Sequence, residues 1–106
     1  MGIGDLGRAL KQVQKLQAEV ARLQDELERR LTEATAGGGA VRVVVRGGRT
    51  LESIELQPEV VDPRDIGLLQ DLILAAVNQA LARAHEEAQA ELAKITGGLK
   101  IPGLPE

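Results

Sequence analysis

Between Asp5 and Leu31 the apolar residues Leu6, Ala9, Leu10, Val13, Leu16, Val20, Leu23 and Leu27 recur at alternating spacings of three and four. That spacing lines one face of an α-helix. With Leu6, Val13, Val20 and Leu27 at one seam position and Ala9, Leu16 and Leu23 at the other, the repeat lasts about three heptads and calls for a helical partner. A helix of this size is ~40 Å long, whereas strands of about seven residues reach only ~23 Å. A small sheet therefore cannot cover it. The first half, with Leu6, Leu10, Val13 and Leu16, has to be dried by the far end of another helix, by a second subunit, or by both.

The chain is 106 residues long, enough for one compact domain over residues 1–106 and too short for two separate cores. It has no Phe, Tyr or Trp, so burial comes from Leu, Val, Ile and Ala, and a core built of these alone favours self-association. Cysteine is absent and His85 is the single histidine, which removes a disulfide framework and a thiolate site and disfavours zinc. The opening MGIGDLGRALKQ lacks an apolar signal core, and Leu6 stands where a myristoylation motif needs Ser or Thr. No run approaches 18 apolar residues. A soluble, unanchored protein of the reducing cytoplasm is expected.

After the helix, predicted over 5–31, the residues AGGG at 36–39 break the pattern and the period changes to two from Ala40. The segment AVRVVVRGGRTLESIEL reads as a strand pair turning at Gly47-Gly48, since glycine supplies the positive φ of a tight hairpin. A two-residue turn would set Val44 opposite Leu51 and Arg42 opposite Ser53. Val41, Val43, Val45 and Ile54 would then share the core face, with Arg42, Arg46, Arg49, Ser53 and Glu55 on the other beside Val44 and Leu51. Gln57 to Arg64 reads as a loop. Asp62 suits a helix N-cap with Pro63 at the first helical position, opening a second helix over 62–95 whose later apolar positions are mostly alanine. Thr96-Gly97-Gly98 stops it, and residues 96–106 read as a flexible tail.

Net charge is −3, the wrong sign for a typical nucleic-acid binder, but it is unevenly spread. Residues 1–18 carry Arg8, Lys11 and Lys15 against Asp5 alone, and residues 40–50 carry Arg42, Arg46 and Arg49 with no acid. Residues 62–95 set six acids against three bases, so one surface can be basic while the whole is acidic. Arg8, Lys15, Arg22 and Arg29 form one outer stripe of the first helix, followed four residues on by Gln12, Glu19, Glu26 and Glu33. Weak surface ion pairs along a solvated face would account for much of that stripe. GIGDLG at 2–7 matches G-x-G-x-x-G but follows no strand, and His85 has no nucleophile or second histidine arranged around it. An enzyme, a cofactor, a metal and a small-molecule substrate are not expected.

Taken together, ALKQVQKLQAEV at 9–20, the strand pair VRVVVRG…IELQP at 41–58 and LQDLILAAVNQALARAHEE at 69–87 resemble the YbaB/EbfC family of bacterial nucleoid-associated proteins. Leu69, Asp71, Leu72, Ala75, Ala76, Asn78 and Ala80 carry the most specific part of the likeness. The resemblance implies an α+β, two-layer fold: a long N-terminal helix, a small antiparallel sheet of two to three strands within 32–56, and a long C-terminal helix. It implies a third strand at Thr32 to Ala36, and a homodimer with projecting helical arms. It also implies binding of double-stranded DNA with little sequence preference, in the cytoplasmic nucleoid, with roles in chromosome organisation and in recombination or gene regulation.

With no aromatic side chains to stack on bases, phosphate contact is the mechanism left. The expected DNA-binding residues are Arg8, Lys11, Lys15 and Arg22 on the first helix with Lys94 and Lys100 near the chain end, and Arg42, Arg46 and Arg49 as the rival patch. Leu6, Leu10, Val13, Leu16, Val20 and Leu23 are the expected seam or dimer residues. The alternative is an interaction scaffold that offers this seam to a recombination or replication factor.

Overall fold

A computed structural model describes residues 2–97. Helix α1 (Ile3–Arg29) leads into strands β1 (Leu31–Ala36), β2 (Val41–Arg46) and β3 (Thr50–Leu56), a 3-10 turn at Pro58–Val60, and helix α2 (Ile66–Thr96). The strands form one antiparallel sheet in the order β1-β2-β3. Helix α2 packs across β1 and β2, and the end of α1 packs on α2. The result is an α+β fold of two layers drawn out to 76 × 19 × 19 Å.

The core is small and aliphatic, as a chain without aromatics requires. Val41, Val43 and Val45 alternate inward from β2 and meet Ala34 of β1 and Ala76 and Ala80 of α2. Alanines on α2 let the helix approach the sheet closely, and the branched valines fill the gap. Arg42, Val44 and Arg46 occupy the opposite face by the period of two.

Four expectations are corrected. First, α1 stops at Arg29, because Arg30 is already extended and Leu31 pairs with Arg46 as the first residue of β1. Leu31 continues the i+4 spacing from Leu27, which is why it reads as helical in the sequence. Glu33 consequently lies in a strand and is not the helical partner of Arg29. Arg30 takes up that role, pairing with Glu26 at 2.6 Å one turn back.

Second, the hairpin register differs. Arg46 pairs with Thr50 and Val45 with Leu51, so three residues, Gly47 to Arg49, make the turn. A bulge between Val44 and Val45 then leaves Glu52 without a partner and sets Val44 opposite Ser53. The longer turn sets Leu51 on the core-side face opposite Val45, and the bulge keeps Ile54 and Leu56 on that face too. Gly47 is required at the turn twice over: its φ is +64°, and a Cβ there would lie 2.7 Å from the Glu28 carbonyl oxygen.

Third, Asp65 and not Asp62 caps α2, its Oδ1 accepting from the Leu68 N–H at 3.2 Å. Asp62 instead holds the preceding turn. Its carboxylate accepts from the Arg64 N–H at 2.9 Å, and its carbonyl accepts from the Asp65 N–H at 2.9 Å. Pro63 therefore sits inside a turn, a position its fixed φ also suits. Fourth, α2 runs on to Thr96 and ends at Gly97 in the left-handed conformation, whose N–H reaches the Ala93 carbonyl at 2.9 Å. The rest of the expected tail, 98–106, lies outside the described residues.

Candidate nucleic-acid interface

Two groups of cations sit in opposite surroundings. Helix α1 is anchored only over its second half. Val20 and Leu23 are buried, at 7% and 6% exposure, whereas Leu6, Leu10 and Val13 are 64%, 55% and 51% exposed. Leu27 lies around one small cleft with Ala84 and Ala88, and Arg30 reaches Glu91 of α2. The part of α1 before Val20 is therefore an arm carried past the body. On it Arg8, Lys11, Lys15 and, nearer the body, Arg22 share one side, about half a turn from the Leu6, Leu10 and Val13 stripe. Among the described residues no carboxylate lies within ion-pairing distance, 4.0 Å, of any of the four.

The hairpin arginines are engaged. Arg42 lies between two strands' carboxylates: its Nε and Nη2 bond Glu33, the latter at 3.0 Å, and its Nη1 is 3.2 Å from Glu55 Oε1. Arg46 Nε donates to Glu52 Oε2 at 3.0 Å, an acid that the bulge turns to the arginine side. Arg49, in the turn, has no such partner among the described residues. The hydrogen bond from Arg42, and then its charge and that of Arg83, hold the Glu33 carboxyl below its usual range. The same contact raises Arg42. The face that the sequence suggested as basic carries Glu33, Glu52 and Glu55 against Arg42 and Arg46. Sequence reasoning placed Glu55 on this face but missed Glu33 and Glu52, which strand β1 and the bulge bring to the arginines.

Of the remaining expected cations, Lys94 lies 3.8 Å from Glu91 on α2 and Lys100 falls outside the described residues. Val20 and Leu23 of the expected seam pack in the body, Leu16 is half-buried, and Leu6, Leu10 and Val13 are exposed on the arm. Among the described residues, the hydrogen-bond partner of His85 is Gln89, at 3.1 Å. Among the described residues no three His, Cys, Asp or Glu side chains converge on a metal position, and no helix is long and apolar enough to cross a membrane.

The molecule is thus a slender α+β body from which a cationic helix projects. The chain belongs to the YbaB/EbfC DNA-binding family, whose model matches residues 1–99. It is 52% identical over 101 residues to a nucleoid-associated protein of Pelotomaculum thermopropionicum, covering 95% of this chain and 96% of that one. It is 54% identical over 102 residues to a nucleoid-associated protein of Acetivibrio thermocellus, covering 95% and 90%. The fold is also that of an uncharacterized protein from Helicobacter pylori, with a TM-score of 0.67 at 20% identity, over 92% of this chain and 99% of the other.

Proposed function

We propose that this protein is a nucleoid-associated homodimer that binds double-stranded DNA through phosphate contacts with little regard to sequence, and so helps organise the chromosome. Membership of the DNA-binding family gives the ligand class. The observation that carries the mechanism is the row Arg8, Lys11, Lys15 and Arg22, solvent-exposed and free of carboxylate partners among the described residues, on a helix that stands off the body. Cations held this way displace condensed counterions without first breaking an internal ion pair. A helical arm also sets them at ~5–10 Å intervals, comparable to the spacing of phosphates along a strand.

The dimer is supported by the sheet. All seven residues of β3 are exposed, and Leu51, Ile54 and Leu56 stand on the same side as buried Val45, Val43 and Val41. The β3 part of the core-side face is thus uncovered by α2, and a second copy placed there would close it and protect an edge strand. A twofold axis would present two arms to one duplex.

The experiment is a binding titration on several unrelated duplexes at a series of salt concentrations, with mass measured by light scattering. A dimer with similar affinity for each duplex and a steep fall with salt is the expected result. A monomer, or binding that salt leaves unchanged, overturns the reading.

A further inference from the structure

We propose that Arg83 closes the outer edge of β1, so that another copy of this chain can add to the sheet only at β3 and association stops at a pair. The pair rests on the dimer reading above; the closed edge does not.

A sheet in the order β1-β2-β3 has two edges, each a row of backbone groups able to take another strand. Antiparallel partners alternate between pairs that exchange hydrogen bonds and pairs that do not, and the register fixes which are which. The Gly47 N–H donates to the Arg30 carbonyl at 2.9 Å, so the bonded pairs along β1 are Thr32 with Val45, Ala34 with Val43 and Ala36 with Val41. Leu31, Glu33 and Thr35 therefore turn their N–H and C=O groups away from β2. By the same alternation, the Gln57 N–H on the Ala40 carbonyl, also at 2.9 Å, sets Glu55 and Ser53 against β2. The backbone groups of Ile54 and Leu56 then face outward from β3.

The two edges are finished differently. Helix α2 lies across β1 and β2, and from it the exposed Arg83 donates through Nη1 to the carbonyl of Glu33, the middle one of the three outward-facing residues. An added strand needs that carbonyl as an acceptor. It would have to displace a guanidinium that is held there twice, since the charge of Arg83 also acts on the Glu33 carboxylate. A long cationic side chain at a strand edge is a general barrier to strand addition. On β3, among the described residues, no side chain hydrogen-bonds a backbone group, and Leu51, Ile54 and Leu56 are 45%, 40% and 38% exposed.

That asymmetry limits the size of the assembly. Two copies joined at β3 present only guarded β1 edges to the solvent, and a third finds no strand to extend. With both edges open, contacts at β3 and at β1 would alternate without end and build a continuous sheet.

Light scattering over a concentration series, without DNA, tests the closed edge. Arg83→Ala should form particles whose mass climbs with concentration to at least twice that of the parent, whereas Arg83→Lys, which keeps a cationic donor, should match the parent. Thr35→Pro takes an outward-facing N–H from β1 and leaves the β1-β2 ladder whole. Added to Arg83→Ala, it should restore the parent mass. Arg83→Ala at the parent mass throughout, or a larger mass that Thr35→Pro does not reverse, overturns the proposal. The unaltered protein supplies a second measurement. Its Glu33 and Thr35 amides should exchange at least tenfold faster than that of Ala34, and equal protection would put a strand on that edge and overturn the proposal too. A parent that stays monomeric overturns the dimer reading alone, because Arg83→Ala should still gain mass over it.

Discussion

The arm and the hairpin each carry three cations drawn from similar sequence, yet among the described residues only the arm leaves all three of them without a carboxylate partner. On the arm, Arg8, Lys11 and Lys15 extend from a single helix, where the acids nearest in sequence are Asp5 and Glu19. In the hairpin, β-pairing brings residues far apart in sequence within reach, and Arg42 is gripped by Glu33 and Glu55 while Arg46 is held by Glu52. A lone helix keeps its local charge, whereas a sheet brings acids and bases together across strands. Charge counted along a chain therefore predicts surface potential on the arm and misleads in the hairpin.

The same division governs stability, and it gives the largest predicted effect. Leu23→Asp, which places a carboxylate where α1 packs on α2, should cost about 3–5 kcal/mol and shift the denaturation midpoint accordingly. Leu10→Asp on the exposed arm should cost less than about 1 kcal/mol. Equal losses in urea melts would mean that the arm's seam is as deeply buried in the assembled protein as its base, and the contrast between the two would collapse.

For DNA, the triple change Arg8→Ala, Lys11→Ala and Lys15→Ala should weaken binding to every duplex alike and flatten its salt dependence, by ~0.9 in the log-log slope for each phosphate that is no longer neutralised. Arg49→Ala should change the slope by no more than about one such step. The comparison is sharpened by the reverse experiment. Glu33→Gln, Glu52→Gln and Glu55→Gln together free Arg42 and Arg46 from their carboxylates, and this variant should bind DNA more tightly than the parent with a steeper slope. If the glutamine variant binds as the parent does, the hairpin face does not approach DNA at all.

How much of this was legible in the sequence follows from the range of each interaction. The arm and its cations were readable because a helix writes its period and its charge locally, in Leu6, Leu10, Val13, Arg8, Lys11 and Lys15. Strand β1 was not, since LTEATA has little alternation of its own and Leu31 extends the helical spacing by one more step. Family resemblance supplied that strand where periodicity could not. The three-residue turn put Leu51 on the other face and the bulge at Glu52 shifted the register again, and nothing in TLESIEL marks either. Asp62 and Asp65 are both competent caps, and their spacing of three residues let the first hold a turn while the second capped α2. The neutralisation of Arg42 depended on both misread features, so the standing of the hairpin as a DNA site was the least legible part of the candidate interface.

The smallest expected effect comes from acid. Glu33 is held below its ordinary value first by the hydrogen bond from Arg42 and then by nearby positive charge, and Asp62 by the backbone N–H and then the guanidinium of Arg64. A carboxyl whose folded pKa is depressed binds fewer protons in the folded than in the unfolded chain. Its stabilising contribution is full above the unfolded value, about 4.3 for Glu and 3.9 for Asp, and is lost as pH falls through the folded value. Stability should therefore be level from neutral pH down to about 5 and decline below it. Glu33→Gln should make that decline shallower without altering the plateau by more than the modest value of an exposed pair. The same protonation releases Arg42, so in the arm triple variant DNA binding should rise as pH falls through the depressed folded value of Glu33, below that of an ordinary Glu, at matched ionic strength. The Glu33→Gln, Glu52→Gln and Glu55→Gln changes, added to that background, should remove most of the rise. A gain on acidification that survives all three glutamines would place its origin elsewhere, in the general loss of negative charge from the acidic α2 surface, and would separate the hairpin's local pairing from the protein's overall field.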